Sequence, residues 1–315
     1  MRKLYIVLTL IVFGTGFTAW AQQDPQFSQN MFTKLAVNPG FAGANGAYCG
    51  TLLYRNQWTG FGGEPKTFLF TGDAYIEDIS SGIGLTVMSE QIGFQKNLAV
   101  KLAFAYRMDL GAGKLGIGPE LGLMQKGING VFVASDKNDP SIPGDPNTGA
   151  VNVNGSTFDA GFGAYYNTDK LYVGLSSSHL PAGTIKYGNI KTKLARHYYL
   201  QGGYKLGLTS SLELQPSLLV KTDAASTQVD INANLMIDSK YWAGLSYRLQ
   251  DAIVIMIGIQ DIPGVPGLKF GYSYDFTTSD LGGTYSSGTH EIMVGYCFKP
   301  VKHIIRQFHR NVRFL

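Results

Sequence analysis

The sequence has few charged residues: Asp, Glu, Lys and Arg make up 15% of the 315 residues, whereas a soluble domain usually has about 25%. Long apolar runs are also missing beyond the N-terminus, since the apolar stretch 253–259 is far shorter than the roughly 20 residues of a membrane-spanning helix. The mean hydropathy is zero, well below that of a helical membrane protein. These absences argue against an ordinary soluble domain and against a helical membrane protein.

Marks of catalysis and of metal binding are scarce as well. The five histidines, which show no metal-ligand spacing, are His179, His197, His290, His303 and His309. No Gly-x-Ser-x-Gly nucleophile elbow occurs, and the start of a calcium loop at 136–139 is followed by Pro140 at the next ligand position. His179 beside Ser176–Ser178 is the one neighbourhood that a hydrolase could use. We therefore expect no catalytic residue, no cofactor and no metal. Of the functions considered for this protein, an enzyme is the weakest hypothesis.

The N-terminus has the pattern of a secretory signal peptide. Arg2 and Lys3 precede an apolar run from 4 to 17, and Ala19-Trp20-Ala21 is a small-x-small cleavage site. A membrane anchor is the alternative, but this run is too short for a spanning helix. We predict that residues 1–21 are removed on export, which lowers the formal net charge from +4 to +2.

From residue 48 to residue 298, apolar and aromatic residues alternate with small or polar ones. In 98–108, for example, Leu, Val, Leu, Phe, Tyr and Met alternate with Ala, Lys, Ala, Ala and Arg. Because successive strand side chains point to opposite faces, each such segment has one apolar face and one polar face. Segments of about ten residues with this pattern are typical of a transmembrane β-barrel. We predict an all-β, up-and-down antiparallel barrel over 48–298, in the outer membrane.

The pattern predicts fourteen strands, an even number that suits a bacterial barrel with both termini in the periplasm. Their predicted ranges are 48–58, 65–76, 82–90, 97–109, 115–126, 156–167, 170–178, 195–207, 211–222, 227–237, 240–250, 252–261, 267–277 and 287–298. Tight turns such as 109–114 and 238–240 alternate with longer segments such as 127–155 and 178–194. We assign the tight turns to the periplasm and the longer segments to the outside.

The same alternation assigns side chains to the two faces of the wall. The charged residues predicted to face the lumen are Arg55, Lys101, Arg107, Glu120, Asp159, Lys205, Glu213, Lys221, Asp230, Arg248, Lys269, Asp275 and Glu291. The residues predicted to face lipid include Leu200, Tyr204, Leu206, Phe270, Tyr272, Tyr274, Val294, Tyr296 and Phe298. Mixed charge in the lumen suits either a water-filled bore or a lumen occupied by protein.

Two segments lie outside the strand pattern. Residues 22–47 combine Pro, Gly and Asn with aromatic and Met side chains, and exposure of those apolar groups would be costly. We predict that this segment packs in the lumen or against the periplasmic rim; a free leader is the alternative. Residues 299–315 form a basic tail with five Lys or Arg residues, either a docking arm or a disordered tail. Because the basic charge is confined to this tail, we expect no nucleic-acid binding.

The two cysteines are predicted to meet at the closing seam of the barrel. Cys49 lies near the start of the first predicted strand and Cys297 near the end of the last, and both fall on the lumen-facing register. Closing the barrel makes these strands neighbours, and an exported protein enters an oxidising compartment. We predict a disulfide between them; two thiols out of register are the alternative.

Two sequence blocks occur together in a fixed order. The first consists of Asp24, Pro25, Gln26, Phe27, Ser28 and Gln29, followed by Asn38, Pro39, Gly40, Phe41, Ala42 and Gly43. The second consists of Tyr54, Arg55, Asn56, Gln57 and Trp58, followed by Gly62, Gly63, Glu64, Pro65, Lys66 and Thr67. Together they resemble the PorP/SprF family of outer-membrane proteins of the Bacteroidota type IX secretion and gliding-motility system. At the C-terminus, 312–315 departs from the Pro-Arg-aromatic-aromatic ending of many members, keeping Arg313 and Phe314.

The resemblance implies a role beside a secretion machinery. It implies an outer-membrane protein that contacts lipid, other type IX components on the periplasmic side, and a large secreted adhesin-like client whose export or surface anchoring it assists. The segments 127–155 and 178–194 are the predicted client contacts, since long loops often carry function. The runner-up is a general diffusion or nutrient-uptake porin, which the mixed polar lumen also suits.

Overall fold

The structure, a computed structural model, describes residues 24–60, 62–132, 149–187, 190–262, 264–279 and 286–299. The strands, in chain order, are β1 (Tyr48–Asn56), β2 (Lys66–Ile76), β3 (Ser81–Ile92), β4 (Gln95–Leu110), β5 (Gly113–Phe132), β6 (Gly149–Asn167), β7 (Leu171–Ser178), β8 (Thr184–Tyr187), β9 (Ile190–Lys193), β10 (His197–Tyr204), β11 (Leu206–Gly207), β12 (Leu212–Thr222), β13 (Thr227–Ile237), β14 (Tyr241–Arg248), β15 (Ala252–Ile262), β16 (Val265–Thr277) and β17 (Thr289–Phe298). Within the described residues, no helix is long and apolar enough to cross a membrane.

These strands form a closed antiparallel barrel, which confirms the predicted fold and the predicted number of fourteen wall strands. β10 and β11 act as one strand interrupted at Lys205, because both pair with β12 while β10 also pairs with β7. The ring closes between β1 and β17, from Tyr48 opposite Phe298 to Asn56 opposite His290. β8 and β9 stand apart as a two-stranded sheet that is not part of the wall.

The two ends of the barrel differ. At one end, here called the turn end, every connection between wall strands is a tight turn, and β1 begins there. At the opposite end, here called the loop end, the long connections occur. The connection predicted at 127–155 is shorter than expected, because β5 continues to Phe132 and β6 starts at Gly149. Residues 133–148, with the calcium-like stretch 136–139, lie outside the described residues, as do 1–23 and 300–315.

The wall has the predicted apolar exterior and polar interior. Leu102, Leu123 and Ile257 are typical of exterior positions, with more than half of each side chain exposed to the surroundings of the barrel. Inside, ten of the thirteen charged residues assigned to the lumen are buried, whereas Glu213, Lys205 and Lys269 are half-buried or exposed. A wall of this kind places its apolar face in lipid and its polar face around the lumen.

The connection predicted as an outer loop at 178–194 instead contributes a hairpin that folds back onto the inside of the barrel. Ile185, Tyr187 and Leu194 are buried, and they pack against Ala99 and Met124 on the inner faces of β4 and β5. We name the β8–β9 hairpin the lid. Its apolar side chains cover the inner wall at the loop end, so only part of this connection faces outward.

Candidate functional site: the occupied lumen

Residues 24–47, here called the plug, run through the lumen of the barrel. Asp24 contacts His179 at the loop end, and Gly43 contacts Asp73 on β2 near the turn end. Between these contacts the chain forms three 3₁₀ turns, Asn30–Phe32, Lys34–Ala36 and Pro39–Phe41. The first described residue of the plug therefore lies at the end of the barrel opposite to the start of β1, rather than at the rim from which β1 begins.

Two backbone amides of the first sequence block donate hydrogen bonds to a buried carboxylate of the wall. Ser28 N donates to Glu291 Oε2 at 2.9 Å, and Gln29 N donates to Glu291 Oε1 at 2.8 Å. Glu291 is fully buried at the loop-end half of β17. A buried carboxylate is costly unless it is paired and hydrogen-bonded, so these amides complete a site that the wall alone leaves open.

Two arginines of the wall surround the same point. Arg55 donates to Asp275 at 2.8 Å and to Glu291 at 3.0 Å, while Arg248 donates to Asp275 at 3.1 Å. The Ser28 hydroxyl accepts from Arg55 Nη1 at 2.8 Å and from Arg248 Nη2 at 3.2 Å, and it donates to Asp275 at 2.7 Å. One serine of the plug thus joins charges from β1, β14 and β16.

The plug begins with a second polar contact at the loop end. Asp24 Oδ1 is 2.9 Å from His179 Nε2, and Asp24 Oδ2 accepts from the Tyr199 hydroxyl at 2.6 Å. The Asp24 backbone amide donates to His197 Nε2 at 3.2 Å, and Lys221 donates to the Asp24 carbonyl at 2.8 Å. Side chain and backbone of one residue therefore hold the start of the plug to two wall strands, β10 and β12, and to a loop.

The opposite charges at this contact stabilise each other's ionised forms. Burial disfavours the imidazolium of His179, but the carboxylates of Asp24 and Asp159 outweigh burial and raise the pKa of His179 to about 9. Burial would likewise raise the pKa of Asp24, but the charged His179 holds that pKa well below its ordinary value. His179 is thus engaged by two carboxylates, and it does not contact the Ser176 hydroxyl, which donates to the Val37 carbonyl of the plug.

The second half of the first block packs tightly on the wall. Asn38 caps its own 3₁₀ turn by accepting from Gly40 N at 2.9 Å, and its amide donates to the Ala164 carbonyl of β6 at 3.0 Å. A Cβ at Gly40 would lie 2.8 Å from the Gly116 carbonyl oxygen, and Gly43 has φ +69°. Side chains do not fit at such positions, so these two glycines allow the close approach of plug and wall.

Apolar side chains of the plug pack against the inner wall between these polar contacts. Phe27 joins a buried cluster with Leu53, Met256 and Met293 of the wall. Phe32 packs on Trp242 with ring centroids 4.9 Å apart, and Phe41 meets Tyr165 edge to face at 5.1 Å. Such aromatic pairs add about 0.5–1.5 kcal/mol beyond their buried area.

A cavity of about 300 Å³ lies between the plug and the turn end of the barrel. Lys34 borders it, with its ammonium 3.8 Å from the ring centroid of Tyr172. Burial, together with Lys205 and Lys269, lowers the pKa of Lys34 to about 7. The plug therefore occupies the lumen toward the loop end, and a polar chamber lies at the turn end.

Some residues of the second sequence block lie in the lumen, and others lie at the loop end. Arg55 and Thr67 are buried inside the barrel. Gln57 N donates to the Pro65 carbonyl at 2.8 Å, and Trp58 N donates to Thr289 Oγ1 at 3.0 Å, so these residues shape the first loop and tie it to β17. Lys66 is half exposed and pairs with Glu64 at 3.4 Å.

Cys49 and Cys297 face each other across the closing seam and are joined by a disulfide, with Cα atoms 4.1 Å apart. This lies within the limit of about 7 Å for a disulfide.

Sequence reasoning missed the meeting of Asp24, His179 and His197, since these residues are far apart along the chain. Alternation had placed Arg55, Asp275 and Glu291 on one face, but no periodic signal linked that face to Ser28.

Fold and site together define an outer-membrane-type β-barrel whose lumen is occupied by its own N-terminal segment. Residues 19–296 match the family described as type IX secretion system membrane protein PorP/SprF. The chain belongs to this family, as its two sequence blocks predicted. It is a family of secretion-system membrane proteins and not an enzyme family. Among curated proteins, no match was found.

Solved structures with a similar fold are outer-membrane barrels of low sequence identity. The CymD monoaromatic hydrocarbon channel is 12% identical, covering 82% of this chain and 88% of its own, with a TM-score of 0.49. The toluene transporter TbuX of Ralstonia pickettii is 10% identical, with coverages of 83% and 92% and a TM-score of 0.49. Omp33 of Acinetobacter baumannii is 9% identical, with coverages of 81% and 99% and a TM-score of 0.41.

Proposed function

We propose that this protein is an outer-membrane component of the type IX secretion and gliding-motility machinery that assists the export or surface anchoring of a large secreted adhesin-like client. The occupied lumen carries the proposal. A barrel filled by Ser28, Gln29 and Phe27 of its own plug suits a fixed partner in an assembly better than a channel for free diffusion.

In the proposed orientation, the turn end lies in the periplasm and the loop end faces outward, because bacterial barrels have short periplasmic turns and longer outer loops. Removal of residues 1–21 by signal cleavage would leave the plug as the first segment of the exported chain. The basic tail, 299–315, follows the turn-end terminus of β17 and would meet other secretion components in the periplasm.

The client would dock at the loop end. The loop between β5 and β6 and the outward part of the connection around the lid are the proposed contacts, since long loops held by a rigid wall often carry function. The lid hairpin itself packs inward, so its role in this proposal is to close the barrel beneath the docked client.

The test is deletion of the gene in its natural host, followed by surface immunolabelling of the large adhesin-like protein. We expect surface labelling to be lost while the total amount of the adhesin, measured by immunoblotting of whole cells, is maintained. Re-expression of the intact gene should restore labelling. Unchanged surface display in the deletion strain would contradict the proposed function.

A porin is the alternative function, and the polar chamber of about 300 Å³ at the turn end is the observation that favours it. Conductance distinguishes the two functions, because a porin requires a continuous aqueous path and we expect the plug to interrupt that path.

A further inference from the structure

We propose that Asp24, His179 and His197 form a zinc site that clamps the start of the plug to the loop end of the barrel. One carboxylate oxygen and two imidazole nitrogens lie within 4.8 Å of one another. Two nitrogens and one oxygen are a donor set that zinc binds well, with a fourth position left for water. The proposal does not depend on which client the protein serves.

Each imidazole has a hydrogen-bond acceptor on its Nδ1 side. His179 Nδ1 is 2.9 Å from Asp159 Oδ2, and His197 Nδ1 is 3.1 Å from the Ala195 carbonyl oxygen. When Nδ1 donates to these acceptors, Nε2 of His179 meets the Asp24 carboxylate and Nε2 of His197 accepts from Asp24 N at 3.2 Å. Zinc binding therefore requires the Asp24 backbone amide to move away from His197. A carboxylate or carbonyl behind each histidine is the arrangement that fixes histidine ligands in protein metal sites.

The distances require a small closure. Tetrahedral bonds to zinc of about 2.0–2.1 Å place two ligand atoms about 3.4 Å apart, so ligand atoms that now lie within 4.8 Å of one another must approach by up to about 1.4 Å. Rotation of the Asp24 carboxylate supplies part of this movement. In this structure Asp24 Oδ1 is hydrogen-bonded directly to His179 Nε2, the nitrogen that would bind zinc. Coordination releases the Nε2 proton of His179 to solvent.

The surroundings provide room and balanced charge. A cavity of about 140 Å³ borders all three residues and is also lined by Glu90 and Lys126. It has room for the water of the fourth position. The carboxylates of Asp24, Asp159 and Glu90 equal in number the ammonium groups of Lys101, Lys126 and Lys221 around the site.

The test is zinc binding to the full-length purified protein in detergent, after stripping with EDTA and dialysis. Calorimetric titration with zinc chloride and metal analysis should show one more tightly bound zinc in the wild type than in His197→Gln. We expect His197→Gln to weaken this binding more than about tenfold. His290→Gln is the matched control, because His290 contacts Tyr272 away from the cluster. His303 and His309 are present in every variant and contribute equally.

Equal zinc content and affinity in the wild type and in His197→Gln would overturn the proposal and leave the cluster as an ion-paired contact only. If His197→Gln does not fold, Asp159→Asn serves instead, since it keeps all three ligands. The expected weakening is then about 10–100-fold, and wild-type affinity in Asp159→Asn would equally overturn the proposal.

Discussion

At the scale of single residues, Glu291 connects the stability of the wall to that of the plug. Its carboxylate accepts from Ser28 N, from Gln29 N and from Arg55. In the low dielectric of a closed lumen, removal of one partner leaves other buried groups unsatisfied, and that penalty exceeds the net value of the hydrogen bond itself. Substitution of Glu291 therefore tests whether the plug is a structural part of the barrel.

We predict that Glu291→Gln lowers the free energy of unfolding by about 1.5–3 kcal/mol, because hydrogen bonds to a charged acceptor are lost and the new amide opposes a guanidinium and two backbone amides. Denaturant titration in detergent can follow Trp242, whose ring packs on Phe32 of the plug. Glu213→Gln is the matched control, since Glu213 is hydrogen-bonded to Gln215 and not to the plug. Equal unfolding free energies for both variants would contradict the prediction.

Residue-level prediction from sequence succeeded where periodicity carried the information. Arg55, Arg248 and Glu291 face the lumen as the alternation predicts, because a β-strand has only two faces. Periodicity contains no information on pairing between distant segments. The contact of Asp24 with His179 joins residues separated by 155 positions, so only the closed barrel reveals it.

At the scale of elements, the seam between β1 and β17 decides whether the barrel closes. We predict that Cys49 and Cys297 are bonded in the exported protein, because their strands pair with these two residues directly opposite. Alkylation of the unreduced protein should add no mass, and alkylation after reduction should modify two thiols. Cys49→Ser should lower the free energy of unfolding by roughly 2–4 kcal/mol. Two alkylated thiols without reduction would refute the bond.

The lid shows where element prediction failed. Residues 178–194 have the polar and Gly-containing composition of an outer loop, and the short strands β8 and β9 are below the length at which alternation is recognisable. The signal that could have revealed them is the spacing of Ile185 and Tyr187, two apolar residues on one face of a short strand. Their burial depends on an inner wall that lies far away in the sequence.

At the scale of the whole molecule, the barrel and its N-terminal segment form one folded unit. The wall supplies carboxylates and guanidinium groups that need partners, and the plug supplies backbone amides, a serine hydroxyl and apolar side chains that need burial. A plug of 24 residues with this many specific contacts is not a flexible appendage. The occupied lumen should therefore persist in the membrane and limit the passage of ions.

We predict that the purified wild-type protein shows low conductance in planar lipid bilayers and that deletion of residues 24–46 raises conductance several-fold. The deletion removes all of the plug except Ala47 and keeps every wall strand, so we expect a continuous polar lumen to become available to ions. Because the lid still packs on the inner wall, a second deletion of 184–193 in the same variant should raise conductance further. Deletion of 184–193 alone is the control and should have little effect, since the plug remains. A large, steady conductance of the wild type, unchanged by loss of the plug, would instead favour the porin, because ions would then already pass beside residues 24–47.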